Sequence, residues 1–259
     1  MIQRQLFITT KDNVVLSSLL CEPTIATKKI IILCHGITVD KEEGGVFTKL
    51  SQELVSSGFA TIRFDFRGHG ESGGNSEEMT ISGELVDLEA VYQAVKKEGF
   101  EKIGIIAQSF GGGIATLFTP SHTIEALCLW SPVLNYEHCF LHPTLPWLSQ
   151  RKDEIRQDFK EKGWSTLGSR KMKIGKELYG EMENYFPFKQ LHKITVPTVI
   201  VHGSADTYVP YEDSQKYILE MKEKGKLVTI EGGEHGFHDN PVHEEEAERI
   251  TVAFFRKNL

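Results

Sequence analysis

The stretch that most restricts how this chain can fold is Lys102-Ile103-Gly104-Ile105-Ile106-Ala107-Gln108-Ser109-Phe110-Gly111-Gly112-Gly113. Its first half is apolar and β-branched, the pattern of a parallel strand buried on both faces. Its second half runs into Ile114-Ala115-Thr116-Leu117, which reads as the start of a helix. A serine at the corner between such a strand and such a helix is a nucleophile elbow. The turn is strained, the hydroxyl stands clear of it, and the backbone on both sides approaches the helix. The residues two before and two after the serine must therefore be small. Here they are Ala107 and Gly111; glycine is usual at both places, so Ala107 departs by one methyl group. The plainer reading is a glycine-rich strand–helix turn with an incidental serine. A phosphate loop is disfavoured, because no Lys-Ser or Lys-Thr follows the glycines.

Strand and helix patterns alternate on both sides of this stretch. Gln3–Thr9 and Val14–Glu22 read as a hairpin around Lys11-Asp12-Asn13. Lys29–Cys34 and Ala60–Asp65 read as central strands, with a helix over Phe47–Ser57 between them that stops at Gly58. Gly68-His69-Gly70-Glu71-Ser72-Gly73 formally matches a dinucleotide-binding fingerprint, but no helix opens directly after it and no acidic strand end follows at the right distance. Helical spacing resumes at Thr80. Strands are expected again at Ile124–Trp130, Val196–His202 and Lys226–Ile230, with helices over Tyr211–Lys224 and Pro241–Leu259. This is an α/β chain with a mostly parallel, doubly wound sheet. Residues 135–188 break the pattern. They are rich in charge and aromatics, show no strand-like run, and are too long for a loop, so a subdomain with its own small aromatic core is expected there.

A length of 259 residues suits one large α/β domain with an insertion. The net charge of -7 disfavours a phosphate-binding surface, so no nucleic-acid partner is expected. No apolar run reaches membrane-spanning length and Met1-Ile2-Gln3-Arg4-Gln5 opens no signal peptide. Cys21, Cys34, Cys128 and Cys139 have the spacing of neither a disulfide framework nor a zinc site, and a reducing, cytoplasmic location is the expectation. His235, His238, Asp239 and His243 lack a helical His pair with an intervening Glu, so no metal is expected. A homodimer is compatible with the sequence.

Three chemically able residues leave strand ends in the order Ser109, Asp206, His235, the order of an α/β-hydrolase triad. Each has a plainer reading: Asp206 as a turn residue, His235 as a loop histidine, with His238 and His243 as rival bases. With His35-Gly36, Asp65-Phe66-Arg67-Gly68-His69-Gly70-Glu71-Ser72, the Ser109 elbow, His202-Gly203-Ser204-Ala205-Asp206, Val209-Pro210 and Gly233-Glu234-His235, the chain resembles the α/β-hydrolase superfamily over essentially its whole length. Within it, the chain is most similar to capped bacterial carboxylesterases of the cinnamoyl/feruloyl-esterase and monoacylglycerol-lipase-like kinds. The resemblance implies a hydrolase core of residues 1–134 and 189–259, a cap over 135–188, and a serine hydrolase acting on a small or medium ester without a cofactor. It implies Ser109 as nucleophile, His235 as base and Asp206 as its partner, with an oxyanion hole from the N–H groups of Ile37 and Phe110. Arg67 and His69 are expected to hold loops together. Trp130, Trp147 and Trp164 are expected to wall an acyl pocket. The alternatives are an amidase or peptidase of the same fold, or a hydrolase-like binding protein without turnover.

Overall fold

The computed structural model describes residues 1–238 and 240–259. Strands β1 (Ile2–Thr9) and β2 (Val15–Glu22) pair antiparallel around the Lys11-Asp12-Asn13 turn, with Asn13 at φ 67. Then come β3 (Lys29–Cys34), α1 (Val46–Ser56), β4 (Ala60–Phe64), α2 (Ile81–Lys97), β5 (Lys102–Gln108), α3 (Ser109–Phe118) and β6 (Ala126–Trp130). The chain leaves the sheet for α4 (Pro146–Ser149), α5 (Lys152–Glu161), β7 (Trp164–Leu167), β8 (Met172–Gly175) and α6 (Lys176–Met182). It returns through β9 (Thr198–Gly203), α7 (Tyr211–Tyr217), β10 (Gly225–Ile230) and α8 (Pro241–Asn258). The main sheet has the order β1-β2-β4-β3-β5-β6-β9-β10. β2 runs antiparallel to both its neighbours, and the pairs from β4 to β10 are parallel. This is the α/β-hydrolase fold.

Side chains alternate across a strand, so each central strand feeds two cores. Ile31 and Leu33 of β3, Ile106 of β5 and Cys128 and Trp130 of β6 pack with α1 and α8. Ile30, Ile32, Ile105, Ala107, Leu127 and Leu129 pack on the other face with α2 and α3. Phe140, Leu148, Ile155, Leu167, Ile174, Leu178 and Met182 belong to that second core. The apolar side chains of 135–188 are therefore continuous with the main core and do not form a small core of their own.

Two other expectations need correction. Residues 135–188 do contain strands: β7 and β8 form an antiparallel hairpin. Each is only four residues long, too short to show a clear period, and alternation survives as buried Ser165 and Leu167 against half-buried Trp164 and Thr166. The helix expected over Tyr211–Lys224 is regular only to Tyr217. Tighter turns run from Ile218 to Lys224, broken by Lys222 at φ 50, and Gly225 starts β10.

Helix α2 is capped by Thr80, whose side chain accepts from Gly83 N–H at 3.0 Å. Its inner face carries a carboxyl. Glu84 is 1% exposed, and its Oε2 has no hydrogen-bond partner among the described residues. Burial, reinforced by Asp87 and opposed by Arg67, pushes this carboxyl well above the ordinary value of 4.5. A raised carboxyl leaves stability intact below the unfolded-state value and drains it as pH rises toward the folded one. Glu84→Gln is therefore expected to become progressively more stable than the parent above pH 4.5. The gain should approach about 1.4 kcal/mol per pH unit. Urea midpoints at several pH values check this, and a difference independent of pH would contradict it.

Candidate active site

Ser109 is the first residue of α3 and sits at φ 53, the left-handed strain that an elbow requires. The room for it comes from Gly111, where a Cβ would lie 2.4 Å from the His35 carbonyl oxygen. Asp206 lies in the loop after β9 and His235 in the turn after β10. Folding brings the three together. His235 Nε2 is 3.0 Å from Ser109 Oγ, and His235 Nδ1 is 2.8 Å from Asp206 Oδ2. A carboxylate can only accept, so Nδ1 carries the proton and Nε2 is left to accept from the serine hydroxyl.

Asp206 is fixed by four donors. Oδ1 accepts the N–H groups of Tyr208 and Val209, both at 2.8 Å, while Oδ2 takes His235 and, at 3.2 Å, His202 Nε2. Burial alone would raise this carboxyl, but the two histidines and their hydrogen bonds outweigh it and hold Asp206 well below the usual carboxylate range. The same pairing works on His235. Burial opposes charge on His235, yet Asp206, with a smaller contribution from Glu43, raises it above the ordinary 6.5. The arrangement can hold a neutral imidazole against a serine hydroxyl and stabilise the imidazolium that proton transfer creates.

The loop after β3 closes on the elbow. A Cβ on Gly36 would stand 3.3 Å from Ser109 Cβ, so glycine lets this backbone approach the serine. His35 Nδ1–H donates to Gly36 O at 2.7 Å, and Phe66 N–H donates to His35 Nε2 at 3.0 Å. His69 bridges the carbonyls of Ile37 and Arg67 at 2.7 and 2.9 Å, while Arg67 binds Asp87 and Asp12. His69 and Arg67 thus tie chain segments together, and neither lines the Ser109 cavity. Ile37 lines the cavity, and the N–H of Phe110 is among the first amides of α3, which have no intrahelical acceptor.

Ser109 and His235 open onto a cavity of about 470 Å³, walled by Ile37, Val133, Phe140, Trp147, Tyr208 and Val209. Trp147 donates its Nε1–H to Tyr208 O at 2.7 Å, and the Tyr208 ring lies 5.3 Å from that of His235. Gly168 and Ser169 of the β7–β8 turn reach the same cavity, and their neighbour Arg170 pairs with Asp40 at 2.9 Å. A larger space of about 730 Å³ lies within 135–188; it shares Phe140 but contains none of Ser109, Asp206 or His235.

Of the three expected wall tryptophans, Trp147 alone lines the Ser109 cavity. Trp130 is on the opposite face of the sheet, because alternation along β6 sends it toward α1 and α8. There it is fully buried between Phe47 and Phe237 and donates to Thr251 Oγ1 at 2.9 Å. Trp164 sits at the start of β7 under the ammonium groups of Lys162 and Lys173, outside the cavity.

The family described as serine aminopeptidase, S33, matches residues 25–169 and 143–241. The chain belongs to this family. Among curated relatives, this S33 chain is 28% identical over 203 residues to an acyl transferase of Aliivibrio fischeri, covering 76% of the chain and 64% of the relative. It is 25% identical over 246 residues to human protein ABHD12B, covering 87% and 60%. It thus spans about three-fifths of these relatives' lengths. Among solved structures, Est1E from Butyrivibrio proteoclasticus with bound ferulic acid aligns with a TM-score of 0.82 at 26% identity, over 97% of this chain and 99% of that one. The Pyrococcus furiosus esterase Pf2001 shares the fold, with a TM-score of 0.72 at 22% identity over 99% and 93%.

Two residues of the S33 chain's site carry no role in the sequence reading. His202 supports Asp206 from the end of β9, and its signal was a histidine closing an otherwise apolar strand four residues before an aspartate. Glu43 lies in a polar loop and had no such signal. His238 lines the cavity and His243 is on α8; Asp239 lies outside the described residues. Among the described residues no group of three or more His, Cys, Asp or Glu is arranged to hold a metal, and no helix is long and apolar enough to cross a membrane.

Proposed function

We propose that this protein is a serine esterase that cleaves a carboxylic ester of a small or medium acyl group through an acyl-serine intermediate. The observation that carries the reading is the hydrogen-bonded series Ser109–His235–Asp206 opening onto an apolar-walled cavity. His235 takes the proton as Ser109 Oγ bonds to the ester carbonyl carbon. The N–H groups of Ile37 and Phe110 hold the oxyanion. His235 then protonates the departing alcohol, and water, deprotonated by His235, releases the acid and restores Ser109. In this reading residues 1–134 and 189–259 carry the chemistry, and 135–188 is a cap that sets acyl preference. The Est1E likeness supports testing cinnamate and ferulate esters.

The second reading, an amidase or peptidase, is favoured by the description of the matched family. One experiment weighs both: kcat/KM on p-nitrophenyl acetate, butyrate and octanoate and on methyl cinnamate and ferulate, beside amino-acid p-nitroanilides. Turnover of esters with slow anilides supports the esterase. Faster anilides support the peptidase, and no turnover of either supports a binding protein.

Acyl preference carries its own prediction. Each methylene buried against the wall is worth about 0.8 kcal/mol, or about fourfold in kcat/KM. Trp147→Ala is expected to flatten the rise from acetate to octanoate, while Trp164→Ala leaves it unchanged. An unaltered profile in folded Trp147→Ala would count against a pocket role for the cap.

A further inference from the structure

Glu43 occupies the turn ahead of α1 at φ 47, a left-handed conformation that a glutamate adopts only at a cost. Its side chain is buried in the wall of the Ser109 cavity. Oε2 accepts Gly36 N–H at 2.7 Å, and Oε1 accepts from Gln108 Nε2 at 3.2 Å. Those partners belong to the two segments that carry the proposed oxyanion amides: Gly36 precedes Ile37, and Gln108 lies two residues before Phe110. Gln108 also packs against the turn of the base, where a Cβ on Gly236 would come within 2.5 Å of Gln108 Nε2. The carboxylate is therefore shared by the oxyanion loop and the foot of the elbow, and through Gln108 it touches the His235 turn.

We propose that Glu43 is a positioning residue of this centre: its carboxylate bridges the Gly36 loop to the elbow, fixing the spacing of the two oxyanion amides, while its charge acts on His235. The proposal rests on the hydrolase reading above. Both carboxylate oxygens face donors, which suits the ionised form, while enclosure favours the neutral one. Burial pushes Glu43 up to about 7 against the lowering by Gly36 N–H and His235. The other groups round it are Asp40, which raises it, and Arg170, which lowers it. His238 and Glu234 share the cavity wall, and Asp206 stands behind His235. Glu43 and His235 thus act on each other: His235 lowers Glu43, and Glu43 raises His235.

Two substitutions separate the bridge from the charge. Gln108 Oε1 has no hydrogen-bond partner among the described residues. In Glu43→Gln, the new oxygen can accept Gly36 N–H while the new amide donates to Gln108 Oε1 once the Gln108 amide turns over. That variant keeps the bridge and removes the charge; Glu43→Ala removes both. The test measures kcat, KM and melting temperature on p-nitrophenyl butyrate from about pH 5 to 9, with the rate of fluorophosphonate labelling of Ser109 beside them. Glu43→Ala is expected to lose about 10- to 100-fold in kcat and in labelling rate, with KM within about threefold. Glu43→Gln is expected to keep its alkaline kcat within about threefold and to move the acid limb of kcat/KM down by about half a pH unit or more, because imidazolium loses a neighbouring negative charge. Wild-type kcat in Glu43→Ala, or a raised KM at unchanged kcat, overturns the proposal. If Glu43→Ala does not fold, an unmoved acid limb in Glu43→Gln overturns it. Failure of the esterase reading shows separately, as a wild type that hydrolyses no ester; the labelling rates then decide the role of Glu43.

Discussion

Ser109→Ala is expected to lower kcat for ester hydrolysis by about four decades or more while the protein stays folded. The substitution removes the hydroxyl bonded to His235 Nε2 and leaves everything that shapes the turn, including the close approach of Gly111 to the His35 carbonyl. The cavity and the amides of Ile37 and Phe110 persist, so a small residual rate over water is expected. Circular dichroism and melting temperature verify the fold, and loss of fluorophosphonate labelling verifies the site. A variant that still turned over esters at a tenth of the parental rate would remove Ser109 from the mechanism.

On the proposed mechanism, Asp206→Asn should cost nearly as much, about four decades in kcat, as the same exchange does in a known Ser-His-Asp triad. Four donors converge on the two carboxylate oxygens. Asparagine accepts through one oxygen only, and its amide would present N–H groups to the others. If that amide faces His235, Nδ1 must accept and the ring proton moves to Nε2, where it blocks proton transfer from Ser109. Asp206 lies well below the usual carboxylate range, so it stays ionised at neutral pH. Its stabilising effect is present above the ordinary aspartate value of 3.8 and is lost as pH falls through the lower folded value. Activity in the parent should instead fall on the acid side as His235 takes a proton, at a pH above the ordinary histidine value of 6.5. Rate–pH profiles of both proteins check these points. A rate for Asp206→Asn within tenfold of the parent would show that something else orients His235.

What could be read from the sequence was whatever depends on near neighbours. The β5–α3 corner declares itself through a β-branched run followed by small residues, and Asp206 and His235 follow strands whose ends could be counted. Trp130 was misplaced because a strand's period says that alternate residues share a face, but which face meets 135–188 depends on the packing of α1 and α8. The β7–β8 hairpin was missed because four residues span only two periods. Glu43 was out of reach for another reason. Its partners Gly36 and Gln108 are 7 and 65 positions away, and nothing local marks a glutamate in a polar loop as destined for burial.

The two small positions of the elbow have unlike neighbours. Past the serine, Gly111 lies against main chain, the carbonyls of Cys34 and His35, which cannot move aside. Before the serine, the methyl group of Ala107 points among side chains of the larger core, which can settle around one more carbon. The stretch therefore obeys a rule of clearance that is strict on one side and lenient on the other. Searches that demand glycine at both places would discard chains built like this one. A pattern that allowed alanine before the serine and kept glycine after it would retain them.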